Sequence, residues 1–196
     1  YKFWEKNECD KQKDPNASDT IIMGNDFNIG KMAWVAGQKI NGKLFYVEEA
    51  NEGIVNTEEA CEDFIDKFPP STWRDHTVIV DGDSSGHDGD TRGHDTDYDI
   101  IHDRLRKHYA RVVVRAPHSK YSLRNRILTT NRALCENTAS GKDIEVYISR
   151  NCPYTIEAVS RTVYNPKGTD IYKPSDDRTT HRSDAFSYPI LEEFPF

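Results

Sequence analysis

No apolar run in this 196-residue sequence approaches the ~18 residues that a membrane-crossing helix requires. The opening Tyr1-Lys-Phe-Trp-Glu-Lys6 has neither an initiating Met nor the apolar stretch of a secretory signal, and the expectation is a fragment cut from a longer chain. Cysteine is scarce. Cys9, Cys61, Cys135 and Cys152 are widely spaced and form no Cys-x-x-Cys pair. That argues against a zinc knuckle and predicts reduced thiols in a cytosolic setting. A Gly-x-x-x-x-Gly-Lys-Ser/Thr phosphate loop is also missing, so an NTPase motor is not expected within this segment. There is no internal repeat and no low-complexity tract.

What is present fits one soluble domain with a sizeable core, since 36% of residues are apolar and 30% charged. The net charge of −7 argues against a protein that coats nucleic acid, but it hides a segregation. Asp75 to Asp103 contains nine Asp and a single Arg, Arg92. Arg104 to Arg126 contains eight Lys or Arg and no acid. Acid beside base suits a site that holds cations and phosphates together, although two solvated surfaces explain the runs equally well.

Residues 1–18 are polar and turn-rich and read as a linker or loosely docked arm, leaving 19–196 as the folded domain. Strands are predicted at Thr20–Asp26, Lys31–Ile40 and Lys43–Glu48, the last two joined by an Asn41-Gly42 hairpin turn. A helix follows at Asn56–Phe68, capped by Asn56 and stopped by Pro69-Pro70. Two further strands, Thr77–Asp81 and Arg111–Arg115, flank an amphipathic helix at Tyr98–Tyr109. Helices are expected at Ser122–Asn137, from Pro153 to about Val163, and over about His181–Leu191, with a short alternating strand at Ile144–Ile148. Three antiparallel strands followed by two parallel ones predict a mixed sheet in the order 3-2-1-4-5, counting Thr20–Asp26 as the first, flanked by helices. This is the ribonuclease-H-like arrangement.

In that order the first and fourth strands are neighbours and both end in acid. Thr20-Ile-Ile-Met-Gly-Asn-Asp26 delivers Asp26, and Val78-Ile-Val-Asp-Gly-Asp83 delivers Asp81 and Asp83. Alternation along the strand leaves either of the latter two facing the site. Asp184, in the first turn of the last helix, is the third candidate. Carboxylates suit Mg²⁺ or Mn²⁺, and two such ions roughly 4 Å apart can clamp a scissile phosphodiester. Each residue also has an ordinary reading. Aspartates after strands are common turn and cap residues, and Asp184 alone answers the helix dipole. Glu48 and Glu49 end the third strand near the same edge and could assist. His87, Asp88, Asp90, His94 and Asp95 lie in a polar loop that reads as solvated rather than metal-binding. His181 could shuttle a proton or cap its helix, and the cap is the favoured reading.

Five segments in order resemble the nuclease domain of the large terminase subunit of tailed bacteriophages. They are Gly24-Asn-Asp-Phe27, Asp81-Gly-Asp-Ser-Ser-Gly86, Asp97-Tyr98, Arg126-Ile-Leu-Thr-Thr-Asn131 and His181-Arg-Ser-Asp-Ala-Phe-Ser-Tyr188. Pro189 departs from the pattern and should bend or shorten the last helix. The resemblance implies a ribonuclease-H-like fold and a two-metal-ion endodeoxyribonuclease that uses Mg²⁺ or Mn²⁺ and cuts double-stranded concatemeric viral DNA during genome packaging. It places Asp26, Asp83 and Asp184 as catalytic metal ligands, with Asp81 as an alternative to Asp83. Arg104, Lys107, Arg115, Lys120 and Arg124 are the basic residues expected to hold the DNA backbone. It also implies an ATPase motor domain in the same chain, a portal protein and a small terminase subunit as partners, no membrane, and action in the host cytoplasm. A junction resolvase or transposase-type nuclease of the same fold, or a non-catalytic DNA- or portal-docking domain, are the alternatives.

Overall fold

The structure, a computed structural model, describes residues 1–3, 5–27, 31–87, 95–117, 119, 121–136, 143–162 and 178–195; of residues 178–179 it describes the backbone alone. The strands are β1 (Glu8–Cys9), β2 (Thr20–Asp26), β3 (Ala33–Ile40), β4 (Lys43–Glu49), β5 (Thr77–Asp81), β6 (Arg111–Arg115) and β7 (Val146–Ser149). The helices are α1 (Thr57–Lys67), α2 (Pro70–Trp73), α3 (Asp97–Leu105), α4 (Leu123–Leu134), α5 (Pro153–Arg161) and α6 (Arg178–Glu193). Among the described residues no helix is long and apolar enough to cross a membrane.

Local chemistry explains the boundaries. Asn56 accepts the Glu59 N–H at 2.8 Å and starts α1. Thr96 and Asp99 form a reciprocal capping box at α3. The Asn41-Gly42 turn takes positive φ at both residues, 50° and 78°, which matches the twist of the β3–β4 hairpin.

The sheet order is β1-β7-β4-β3-β2-β5-β6. Its run β4-β3-β2-β5-β6 is the predicted order 3-2-1-4-5, and two strands extend it beyond β4. One of these comes from residues 1–18, the stretch read as an arm: Glu8 and Cys9 pair in parallel with Ile148 and Ser149. Asn7 is buried there, its amide donating to the carbonyls of Leu134 at 2.9 Å and Val146 at 3.2 Å. β3 is antiparallel to both of its neighbours, and every other pairing is parallel. Six strands therefore end at the same edge of the sheet.

Both faces are covered, so β2 reads as an almost continuous apolar run. On one face Ile21, Met23, Val78 and Val80 pack with Phe64 of α1, Trp73 of α2 and Ile101 and Leu105 of α3. On the other, Ile22, Leu44, Tyr46 and Ile148 pack with Leu134 of α4, Val159 of α5 and Phe186 and Ile190 of α6. Each large side chain buried this way contributes roughly 1.5–3 kcal/mol relative to exposure. All four cysteines are free, and burial pushes the Cys61 thiol up to about 12.

α6 lies directly on β2. A Cβ on Gly24 would fall 2.1 Å from the Ala185 carbonyl oxygen and 2.6 Å from the Pro189 ring. Pro189 does not shorten the last helix, because α6 continues through it to Glu193. The proline withdraws the N–H that would have bonded Ala185. The freed carbonyl and the proline ring both settle against the one β2 residue without a side chain. Gly24→Ala should therefore cost more than the 1–3 kcal/mol typical of overpacking, roughly 3 kcal/mol or more, since backbone blocks the new methyl. Urea denaturation measures it, and an unchanged midpoint would refute the close approach.

Candidate active site

The β2–β5 register pairs Gly24 with Asp81. Asp26 and Asp83 each lie two residues beyond that pair, at the carboxyl edge of the sheet. Asp26 ends β2, is buried, and has the His181 Nδ1 2.7 Å from its Oδ2. His181 was expected to cap its helix. Because α6 begins at Arg178, His181 sits within it, and its ring turns to Asp26 instead.

Asp83 is partly exposed in the turn after β5. Its Oδ1 accepts the Ser85 N–H at 2.9 Å and the Ser85 hydroxyl. The Tyr98 hydroxyl donates to its carbonyl at 2.7 Å, so the start of α3 holds this turn. Tyr98 stands edge-on to Phe27, with centroids 4.8 Å apart. A Cβ on Gly82 or Gly86 would meet these rings at 2.8 Å or less, so the glycines let the turn close over them.

Asp184 lies one turn along α6 from His181. The Arg126 Nη2 of α4 is 2.8 Å from its Oδ1. The Arg126 Nη1 donates to the Tyr188 hydroxyl at 3.0 Å, and the guanidinium stands 5.3 Å from the Tyr188 ring centroid. Burial holds the Tyr188 hydroxyl protonated well above the usual tyrosine range. Arg126 opposes that, while Asp26, Asp184 and Asp83 reinforce it. All three aspartates thus lie within electrostatic reach of one hydroxyl.

Asp81 has a different role. It is fully buried beneath α6, and Arg115 grips both its oxygens, Nε to Oδ1 at 2.8 Å and Nη2 to Oδ2 at 2.7 Å. Burial pushes Asp81 up to about 6, against the pull of Arg115. The Arg115 Nη1 also reaches Glu193 at 2.7 Å. Arg115, expected to hold DNA, is instead the centre of an ion-pair network between β5, β6 and α6.

Glu49 is likewise structural. It is buried and accepts the Tyr154 N–H at 3.0 Å and the Thr155 N–H at 2.7 Å, which closes the first turn of α5. Glu48 pairs with Lys13 at 2.6 Å. Arg104 and Lys107 lie at the far end of α3, which starts beside Asp83 and runs back toward the first residues of β5 and β6. Arg104 there faces Glu62 at 3.5 Å. Arg124 is exposed in the first turn of α4, one residue before the Asn125-Arg126 pair, on the site's side of the molecule. Lys120, Asp88, Asp90 and His94 lie outside the described residues.

In the sequence Arg126 heads one of the five resembling segments, but no role at the site was assigned to it. An arginine at that position is an ordinary surface residue of an amphipathic helix, yet here it is 9% exposed. Three carboxylates near one sheet edge are of the hard-oxygen donor type that a divalent cation takes, so their chemistry suits such an ion. Among the described residues, no three His, Cys, Asp or Glu side chains are gathered closely enough to hold a metal ion. Arg126 and His181 each engage one carboxylate.

No protein-family model matches the sequence, and no curated protein does. Solved structures do match. The nuclease domain of the P22 large terminase aligns over 98% of this chain and 95% of its own, with 12% identity and a TM-score of 0.57. The nuclease domain of the bacteriophage SPP1 large terminase, solved with bound Mn, aligns over 95% of this chain and 96% of its own, with 17% identity and a TM-score of 0.51. The large terminase of a thermophilic bacteriophage, in complex with ATP-gamma-S, aligns over 89% of this chain with 15% identity and a TM-score of 0.58; the match spans 40% of that longer protein. The chain has the fold of large-terminase nuclease domains, a mixed α/β sheet of ribonuclease-H type covered by helices on both faces.

Proposed function

We propose that this chain is the nuclease module of a viral DNA-packaging terminase, a metal-dependent endodeoxyribonuclease that cuts concatemeric double-stranded DNA in the host cytoplasm. What supports the reading is that Asp26 and Asp83 each follow the Gly24–Asp81 pair by two residues at one sheet edge, and that Asp184 lies one turn along α6 from the His181 that contacts Asp26, in a fold shared with terminase nuclease domains. Asp26, Asp83 and Asp184 would hold Mg²⁺ or Mn²⁺, two ions in this reading, which would supply an activated water and charge stabilisation at the phosphoryl oxygens. The bound Mn of the SPP1 domain supports a divalent ion. The chain's own residues position the carboxylates: His181 fixes Asp26, Ser85 fixes Asp83, and Arg126 fixes Asp184. No protein nucleophile is required. The thermophilic phage protein is more than twice as long as its matched part and was solved with ATP-gamma-S, which supports an ATPase motor elsewhere in the full protein. The portal protein and small terminase subunit complete the proposed assembly.

A plasmid-nicking assay with Mg²⁺ or Mn²⁺ tests this. Asp26→Asn, Asp83→Asn and Asp184→Asn should each lower cleavage at least ~10²-fold, and EDTA should abolish it. Full activity in any one of the three removes that residue from the site. Asp81→Asn should separate from the other three. It strands Arg115 and should cost roughly 2 kcal/mol of stability, less than a fully buried broken pair because Arg115 keeps Glu193. Its remaining folded fraction should still cut. Thermal melts beside the nicking assay read both quantities, and a stable but inactive Asp81→Asn protein would exchange the roles of Asp81 and Asp83.

DNA contact follows the same geometry. Arg124 is exposed on the site's side, whereas Arg104 and Lys107 sit at the opposite end of the sheet. Arg124→Ala should flatten the salt dependence of duplex binding by about one unit of log–log slope. The Arg104→Ala/Lys107→Ala protein should keep the wild-type slope on a duplex long enough only for the site. Fluorescence anisotropy across a salt series distinguishes the two, and the reverse pattern would move the DNA path to the far end.

A further inference from the structure

Arg126 is a cation built into a carboxylate site. It is 9% exposed, and its guanidinium cannot shed its proton, so its charge must be answered inside the protein. The answer comes from α6. The Asp184 Oδ1 lies 2.8 Å from Nη2, the Tyr188 hydroxyl accepts from Nη1 at 3.0 Å, and the Tyr188 ring presents its face 5.3 Å away. Asp26 also lies within its electrostatic reach. Tyr121 stacks on Tyr188, with centroids 6.0 Å apart and planes at 29°.

We infer that Arg126 is a positioning residue that stands in for the cation: it holds Asp184 and Tyr188 in place in the metal-free protein and competes with an incoming divalent ion for the Asp184 carboxylate. This rests on the metal-dependent reading above. The physical case has two parts. Carboxylates crowded at one edge repel one another, and a buried positive charge among them offsets that repulsion. The same charge opposes a second cation, because two like charges a few ångströms apart in a partly desolvated site interact strongly. The ion must loosen the guanidinium from Asp184 or accept a site weakened by it. A residue that merely packs α4 against α6 has no such effect on the metal.

Metal-induced stabilisation gives a readout independent of cleavage, since an ion that binds the native state raises the melting temperature according to its affinity. The test uses the 196-residue chain as wild type, Arg126→Gln and Arg126→Lys, with thermal melts in EDTA and across a MnCl₂ series, and calorimetry for affinity. In EDTA, Arg126→Gln should melt below wild type, because its carboxylates have lost their counter-charge. Mn²⁺ should raise its melting temperature by more than it raises that of wild type, and its affinity for Mn²⁺ should be about tenfold tighter. Arg126→Lys keeps the charge and should bind Mn²⁺ as wild type does. Equal Mn²⁺-induced shifts in wild type and Arg126→Gln would overturn the inference. So would tighter binding by Arg126→Lys, since grip rather than charge would then be responsible. An Arg126→Gln protein that stays unfolded even in Mn²⁺ also overturns it, because the ion should replace the lost charge. A flat wild-type titration is distinct from all of these: it removes the metal-dependent reading, and the inference with it.

Discussion

The contact between α6 and β2 at Gly24 is the constraint on which the rest of the site depends. A helix normally stands off a strand by the length of the side chains between them. Here the strand offers no side chain, and the helix offers a bare carbonyl and a proline ring. The close approach sets both the height of α6 over the sheet and its rotation. With Ala185 and Pro189 pinned to β2, the helical repeat fixes where His181, Asp184 and Tyr188 fall, one turn apart along the neighbouring stripe. His181 then meets Asp26 at the strand's end, and Asp184 and Tyr188 turn to α4. A proline that would interrupt most helices serves here as the packing surface.

Charge has to be balanced once that geometry is set, and the structure does it in two separate places. Beneath α6, Asp81 and Glu193 share Arg115, and Lys39 of β3 reaches Glu193 at 2.8 Å. This network ties together β3, β5, β6 and the end of α6. Each acid there meets a base, and Asp81 at its centre is fully buried. At the sheet edge the balance differs. There Arg126 meets Asp184, His181 meets Asp26, and Asp83 turns partly toward solvent. A closed network is suited to holding elements together, and an acid-rich, open one to receiving a cation. That contrast, rather than position in the sequence, separates Asp81 from Asp83.

Much of the fold was legible because it is written in local patterns. The Asn41-Gly42 turn, the Asn56 cap, the Pro69-Pro70 stop and the apolar runs of β2 and β5 each act over a few residues. The order 3-2-1-4-5 follows from them with the handedness of parallel crossovers. Features that depend on distant partners were not legible. β1 is two residues long, and nothing in Glu8-Cys9 announces that β7 will pair with it. His181 at a helix start looks like a cap until Asp26 is seen beside it. Glu49 looks like a spare ligand until α5 presents its first N–H groups. Alternation placed Asp81 and Asp83 on equal terms, and Arg115, thirty-four residues after Asp81, separates them.

The basic run from Arg104 to Arg126 shows why segregation along a chain is not segregation in space. Arg104 lies in the last turn of α3 and Lys107 follows the helix, and the chain then crosses the sheet as β6. Four residue steps in a strand carry it roughly 13 Å, so Arg115 arrives at the edge opposite the one where Arg111 began. Arg124 and Arg126 follow on that second edge, in the first turn of α4. A single run in sequence is thereby divided between two ends of the molecule. On the site's side of this division, Arg115 and Arg126 are drawn inward by Asp81 and Asp184, while Arg124 faces outward. Among the described residues at the edge that carries the carboxylates, Arg115 and Arg126 are thus already answered by acids, and Arg124 is exposed to meet a polyanion. A cation bound among those carboxylates changes that balance directly. In the function proposed above, holding an ion there and holding a phosphate backbone against it would be a single electrostatic problem, with Arg126 on its inner side.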